Sequence, residues 1–160
     1  MPLITSPVRK AVPDDMPELM DMCRELHIEN AQFPMNEAKV TDMLQRAFNG
    51  KGAVIGVIGP TGKIEGSILL LINSWWYTDE WSLEEIFSYV RPQYRKSTNA
   101  KELITFGKRC SDELGIPLVI GVVSNERTRA KVGLYTRQLS DPSGAYFIYG
   151  KTLKQDAKIA

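Results

Sequence analysis

Tyr94-Arg95-Lys96-Ser97-Thr98-Asn99-Ala100 joins two segments of different pattern. Residues 86–90 before it read as a strand, closed by Pro92. Residues 101–114 after it repeat their apolar side chains at helical spacing. A strand, a polar turn and a helix start leave main-chain N–H groups without partners in the first helical turn. The helix macrodipole adds roughly half a positive charge there, so a phosphate can be held by backbone alone. The stretch predicts an anion site at a β–α junction.

Downstream, Ala100, Leu103, Ile104, Gly107, Cys110 and Leu114 form the buried stripe of that helix, and Gly115-Ile116-Pro117 stops it. Leu118-Val119-Ile120-Gly121-Val122-Val123 is wholly apolar, the pattern of a central buried strand. Ser124-Asn125-Glu126 then opens a helix that runs to about Leu139 and carries Ala130, Leu134 and Tyr135. After the turn Asp141-Pro142-Ser143-Gly144, residues 145–149 read as a last, aromatic strand.

Upstream, Ala53-Val54-Ile55-Gly56-Val57-Ile58 and residues 64–72 flank a Pro/Gly turn and predict a hairpin. Residues 68–72 show no polar alternation, which predicts a strand covered on both faces. Trp75, Trp76, Tyr77 and Trp81 cluster next, suiting a substrate-facing wall, a contact with a second copy, or core at the end of the sheet. In the strand 82–90, Glu84 and Glu85 point to opposite faces if the strand is regular. Either one of them faces inward or both are solvated at the strand entrance. Nearer the N-terminus, a short strand at 8–12 precedes a helix capped by Asp15, with Pro17 and Glu18 in its first turn. Met16, Leu19, Met20, Cys23 and Leu26 give it an apolar face, with His27 at the edge as a packed or surface residue. Asn36 caps a second helix whose stripe is Val40, Met43, Leu44, Ala47 and Phe48.

The chain of 160 residues predicts one α/β domain over 1–160, with a core of about 8–150. A formal charge of +1 with interleaved signs argues against nucleic acid as a partner. Cys23 and Cys110 lie in separate helical patterns, and with one histidine they offer no zinc spacing, so no metal is expected. The first residues lack the pattern of a secretory leader, and the longest apolar run is far too short to span a membrane. The expectation is a soluble, cytoplasmic protein.

The element order β-α-α-β-β-β-α-β-α-β resembles the GNAT superfamily of acyl-CoA N-acyltransferases over about residues 8–150. The string Val90-Arg91-Pro92-Gln93-Tyr94-Arg95 is similar to the family's strand-end V-x-P-x-Y-R, and Arg95 to Ala100 to its (Q/R)-x-x-G-x-(G/A) loop. Thr98 stands at the motif's central Gly, where a β-branched residue restricts φ and crowds the loop. More loosely, residues 95–103 and the short C-terminus resemble small members encoded by phages and prophages. The resemblance implies a mixed sheet with helices on both faces, splayed between strands 4 and 5. The cosubstrate it implies is acetyl-CoA. Its pyrophosphate would be held by Arg95, Lys96, Ser97, Thr98, Asn99 and Ala100, and its pantetheine arm by Ser88, Tyr89, Val90 and Asn125.

The implied reaction is direct attack of an amine on the acetyl thioester in a ternary complex. Backbone at 88–90 would stabilise the oxyanion, and residues 86–90 read as carrying a bulge that opens the splay. Glu85, then Glu84, are the candidate bases, and Tyr135 is the proton donor to the leaving thiolate; an inert packing Tyr is the alternative for Tyr135. The acceptor would be a small molecule or protein amine, and a homodimer is compatible. A non-catalytic GNAT-fold module that binds acyl-CoA or a protein is the competing reading.

Overall fold

A computed structural model of the chain describes residues 6–124, 127–150 and 152–153. Strands β1 (Val8–Lys10), β2 (Ala53–Ile58), β3 (Gly66–Asn73), β4 (Ser82–Val90) and β5 (Leu118–Val119) form one sheet in chain order. The first four pair antiparallel, and β5 joins β4 parallel. Helices α1 (Met16–Asn30) and α2 (Glu37–Phe48) precede β2, α3 (Asn99–Leu114) links β4 to β5, and α4 (Thr128–Gln138) follows β5. This is a mixed sheet with helices on both faces, the GNAT-like α/β arrangement.

Two apolar clusters explain why the sheet is sandwiched. Leu19, Met22 and Leu44 of α1 and α2 meet Val57, Leu69 and Tyr89 on one face. Leu103 and Phe106 of α3 meet Ile68, Leu70, Leu83 and Val90 on the other. Ile68, Leu69 and Leu70 are all at most 1 % exposed, as their unbroken apolar run predicts. Full burial of such side chains contributes about 1.5–3 kcal/mol each. Gly56 lets α3 approach closely, since a Cβ there would lie 2.8 Å from both Phe106 and Val8. The α3 helix ends at Gly115, whose φ of 67° suits glycine.

Opposite β3, Leu69 faces Phe87 and Leu70 faces Glu85, so Ile86 has no partner and forms the expected bulge. Val90 stands seven positions after Leu83, an odd spacing that puts them on opposite faces of a regular strand; the bulge returns both to the α3 cluster. It therefore also puts Glu85 and Ser88 on that face together. Beyond Glu84↔Val119 the β4–β5 pairing stops, and the two strands separate. The splay begins at Glu85.

Several expectations are corrected. The run 118–123 is not a central strand: two residues pair, at the sheet's edge, and Val123 is 49 % exposed. Residues 145–149 form no strand, because so short an edge gives them no ladder to extend. Trp75, Trp76, Tyr77 and Trp81 are all substantially exposed, with edge-to-face contacts from Tyr77 to Trp75 and Trp76, so they do not close the core. Asp15 does not cap α1. It closes the preceding 3-10 turn (Pro13–Asp15), accepting from Val12 N at 2.8 Å, from Arg9 at 2.8 and 3.0 Å, and from Thr61 Oγ1 at 2.7 Å. Asn36 does cap α2, accepting from Lys39 N at 3.1 Å. His27 Nε2 donates to Phe33 O at 2.8 Å and pins the α1–α2 loop.

Candidate active site

Where β4 and β5 part, a cleft of about 100 Å³ opens between the end of β4, the start of α3 and one face of α4. Its walls are Ser88, Tyr89 and Val90 from β4, then Arg95 and Ala100. From α4 and its N-cap come Arg127, Ala130, Lys131, Leu134 and Tyr135. The α4 residues recur at intervals of three and four, which places them along one helical face. The sequence reading of that helix missed Arg127 and Lys131, although the spacing that selects Tyr135 selects them too. Three cationic side chains thus surround the cleft, and burial lowers the pKa of Lys131.

The turn at 95–98 leads into α3 without strain. Ser97 Oγ donates to Tyr94 O at 2.5 Å and accepts from Asn99 N at 3.2 Å, so Ser97 organises the start of the helix. Thr98 has φ −89° and makes no side-chain cap bond. This backbone is open to any residue, so the crowding of φ expected from a β-branched residue at the glycine position does not arise. Lys96, Ser97 and Thr98 are exposed. The Asn99 Nδ2 atom is buried with no hydrogen-bond partner. Such an orphaned donor beside an open helix start fits a site that completes itself on binding an anion.

Arg95 is held by protein groups. Its Nε donates to Val90 O at 2.9 Å, its Nη2 meets both Glu29 carboxylate oxygens at 2.9 and 2.7 Å, and its guanidinium lies 5.3 Å from the Tyr89 ring centre. Tyr89 Oη also donates to Glu29, at 3.3 Å. No local sequence pattern shows Glu29, because its partner lies 66 residues away. An anion entering the cleft would compete with this carboxylate for Arg95. Glu29→Gln is therefore expected to tighten binding of inorganic pyrophosphate about tenfold by calorimetry; unchanged or weaker binding would refute the competition.

Glu84 and Glu85 have separate fates. Glu84 Oε2 accepts from Asn73 Nδ2 at 3.2 Å, away from the cleft. Glu85 turns toward β5 and α4, with Gly121 N–H bonding to it and Lys131 nearby. Some of its surface stays accessible, but desolvation dominates and raises its pKa to about 7, against the smaller opposing effects of Gly121 and Lys131. Tyr135 is raised too, first by burial and then by the Glu85 charge, while a hydrogen bond with Ser88 works the other way. Glu85 and Ser88 thus both act on Tyr135, and of the three Ser88 and Tyr135 line the cleft.

Asn125 lies outside the described residues. Its neighbour Ser124 is buried, donating Oγ to Asn30 Oδ1 at 2.9 Å and accepting from Arg127 N at 3.2 Å, which fastens the entry of α4 to the end of α1. Among the described residues, no group of three His, Cys, Asp or Glu side chains could hold a metal, and no helix is long and apolar enough to cross a membrane.

No family model matches the chain, and no curated protein matches it by sequence. Solved structures do match its fold. A predicted acetyltransferase from Clostridium acetobutylicum, solved with acetyl-CoA, aligns with a TM-score of 0.72 at 14 % identity, over 89 % of this chain and 94 % of that one. A Trypanosoma brucei acetyltransferase aligns at 0.65 and 21 % identity, covering 89 % and 97 %. The enzyme AAC(6')-Iy, in complex with a CoA-containing bisubstrate analogue, aligns at 0.67 and 15 % identity, covering 90 % and 96 %. At these identities the likeness is one of fold, that of the GNAT-type acetyltransferases.

Proposed function

We propose that the chain is an acetyl-CoA-dependent N-acetyltransferase whose acceptor is an amine. The observation that carries this reading is that Ser88 and Tyr135 line a basic cleft beside the unpaired edge of β4, with the Glu85 charge acting on Tyr135. The residues fit the donor. The open start of α3 with the buried Asn99 Nδ2, and the cations Arg95, Arg127 and Lys131, suit a polyphosphate. The Ser88, Tyr89 and Val90 backbone suits an amide-bearing arm laid along a strand edge. Acetyl-CoA would supply the acyl carbon and the thiolate leaving group.

Glu85, with a pKa of about 7, can accept the proton that the attacking amine loses near neutral pH. Tyr135 stays protonated and can donate to the departing sulfur. By itself, a phenol made more basic by burial is a weak donor. The Glu85 charge is one cause of that basicity, so uptake of the amine proton by Glu85 removes it and eases release from Tyr135. The proton on Glu85 then replaces the one that Tyr135 has given up, and the books of the reaction close: one amide, one thiol, no net change in the protein. Alignment and the β4 main chain would supply the remaining acceleration.

A binding module would use the same cleft, but mere binding has no use for a carboxyl and a phenol tuned together. Acetyl-CoA should raise the melting temperature, and thiol release with a panel of small amines and peptides should separate enzyme from module. Tyr135→Phe is expected to keep acetyl-CoA binding and lose about 10²-fold in kcat. Full activity in that variant would remove the assigned acid, and absence of any thermal shift at millimolar acetyl-CoA would sink the donor assignment.

A further inference from the structure

The cleft has two walls with no sheet ladder between them. One is the end of β4 with Arg95. The other is α4, which with its N-cap supplies Arg127, Lys131 and Tyr135. Pairing between β4 and β5 stops at Glu84↔Val119, so the sheet does not fix the spacing of the walls. Nor does the apolar core. Among the described residues, α4 buries no side chain fully and adds none to either apolar cluster.

Polar bonds at its two ends hold the helix instead. At the far end, Lys108 Nζ donates to Gln138 O at 3.2 Å, an exposed contact. The near end is enclosed. Ser124, 8 % exposed, accepts from Arg127 N through Oγ at 3.2 Å and from Thr128 Oγ1 through its carbonyl at 3.0 Å. Its hydroxyl donates to Oδ1 of Asn30, 5 % exposed, at 2.9 Å. Out of water, such a bond is felt more strongly than at the surface.

Asn30 is the last residue of α1, and Glu29 before it grips the opposite wall through Arg95 and Tyr89. Leu19, Met20, Met22 and Cys23 seat α1 in the core. Adjacent residues of one anchored helix therefore hold the two walls. Asn30 Nδ2 is meanwhile buried with no hydrogen-bond partner, a cost that an apolar side chain would not carry. Stability alone does not explain an asparagine here.

We infer that Asn30 and Ser124 are positioning residues: their hydrogen bond sets where α4 stands against β4, and so brings Arg127, Lys131 and Tyr135 to the cleft. Neither of the two lines the cleft, so they act through the helix. The part that concerns Tyr135 as proton donor rests on the acetyltransfer reading, and the part that concerns the two cations does not.

The double variant Asn30→Leu, Ser124→Ala tests this on the whole chain. Removing both partners of a buried hydrogen bond can be nearly neutral for the fold, so Tm is expected to stay within about 3 °C of wild type. Amide exchange at 128–138 should speed at least about tenfold, with α1 and α3 unchanged. Inorganic pyrophosphate should bind about tenfold more weakly by calorimetry, and kcat for acetyl transfer should fall about 30-fold. Ser124→Ala alone, the loss of one oxygen atom, should move the same readouts in the same direction. Wild-type exchange in α4, or a loosened α4 with wild-type pyrophosphate affinity or wild-type kcat, would overturn the inference. So would a large drop in Tm with exchange raised across the whole chain, since the bond would then be structural and nothing more. If the wild type transfers no acetyl group, exchange and pyrophosphate binding still decide the positioning role, and only the acetyltransfer reading falls.

Discussion

Glu85→Gln is expected to lower kcat by about 10²–10³-fold and, at the same time, to make the fold more stable above neutral pH. Both effects come from one cause, the desolvation that raises this carboxyl to a pKa of about 7. An unfolded chain ionises Glu near 4.3. Between that value and 7 the native state holds a proton that the unfolded state has released, so stability falls as pH rises. Above 7 the native carboxylate is charged in its recess and the penalty is complete. With partial solvent access, it amounts to about 2–3 kcal/mol. Glutamine carries no such penalty. The two proteins should therefore unfold alike at pH 4 and diverge as pH approaches 7, with the variant the more stable. Wild-type activity should rise through an inflection near pH 7 that the variant lacks. A variant less stable than wild type at pH 8, or one with wild-type kcat, would overturn the assignment of Glu85.

The second large effect lies far from the cleft. Asp15 has no exposed surface, and its carboxylate is shared by Arg9, Val12 N and Thr61 Oγ1, tying β1 to the start of α1 and to the β2–β3 turn. Asp15→Ala leaves a guanidinium, an amide and a hydroxyl without their acceptor and is expected to cost about 3–5 kcal/mol. For a chain of this size, that is a drop of roughly 6–20 °C in Tm. Its pH dependence is opposite to that of Glu85. The bond from Arg9, set against the cost of burial and helped by Val12 N and Thr61, brings the Asp15 pKa down to about 2. The stabilisation is fully present above the unfolded value of about 3.9 and is lost as pH falls through 2. Arg9 is 35 % exposed, so water screens the pair and the pH-dependent part is about 1–2 kcal/mol. Denaturant titrations of both proteins at pH 6 and pH 2 should show the gap narrowing in acid. A constant gap would mean that packing, not charge, holds Asp15.

Taken together, the two carboxyls show why burial alone does not reveal a role. Asp15 is enclosed with three donors and is held ionised. Glu85 is desolvated, with one backbone donor and one nearby cation of smaller effect, and is held near neutrality. A group balanced near the pH at which amines react is the kind a proton-transfer site requires.

By itself, the sequence determined whatever depends on neighbours along the chain. The unbroken apolar run at 68–70 specified a strand buried on both faces, Asn36 its helix cap, residues 86–90 the bulge, and the turn at 94–100 a helix start. Through the family resemblance it also put Glu85, Ser88 and Tyr135 among the candidates. Tertiary structure alone separated the surroundings of Glu84 and Glu85, because one unpaired residue at Ile86 sets which carboxyl shares a face with Ser88. It revealed Glu29, whose contact with Arg95 closes a loop of 66 residues. It also demoted 118–123 from central strand to short edge and left 145–149 without a ladder. The physical reason is the same in each case. Apolar pattern and turn chemistry act over a few residues, whereas the partner that a strand edge or a charged side chain finds depends on which distant segment the folded sheet brings beside it.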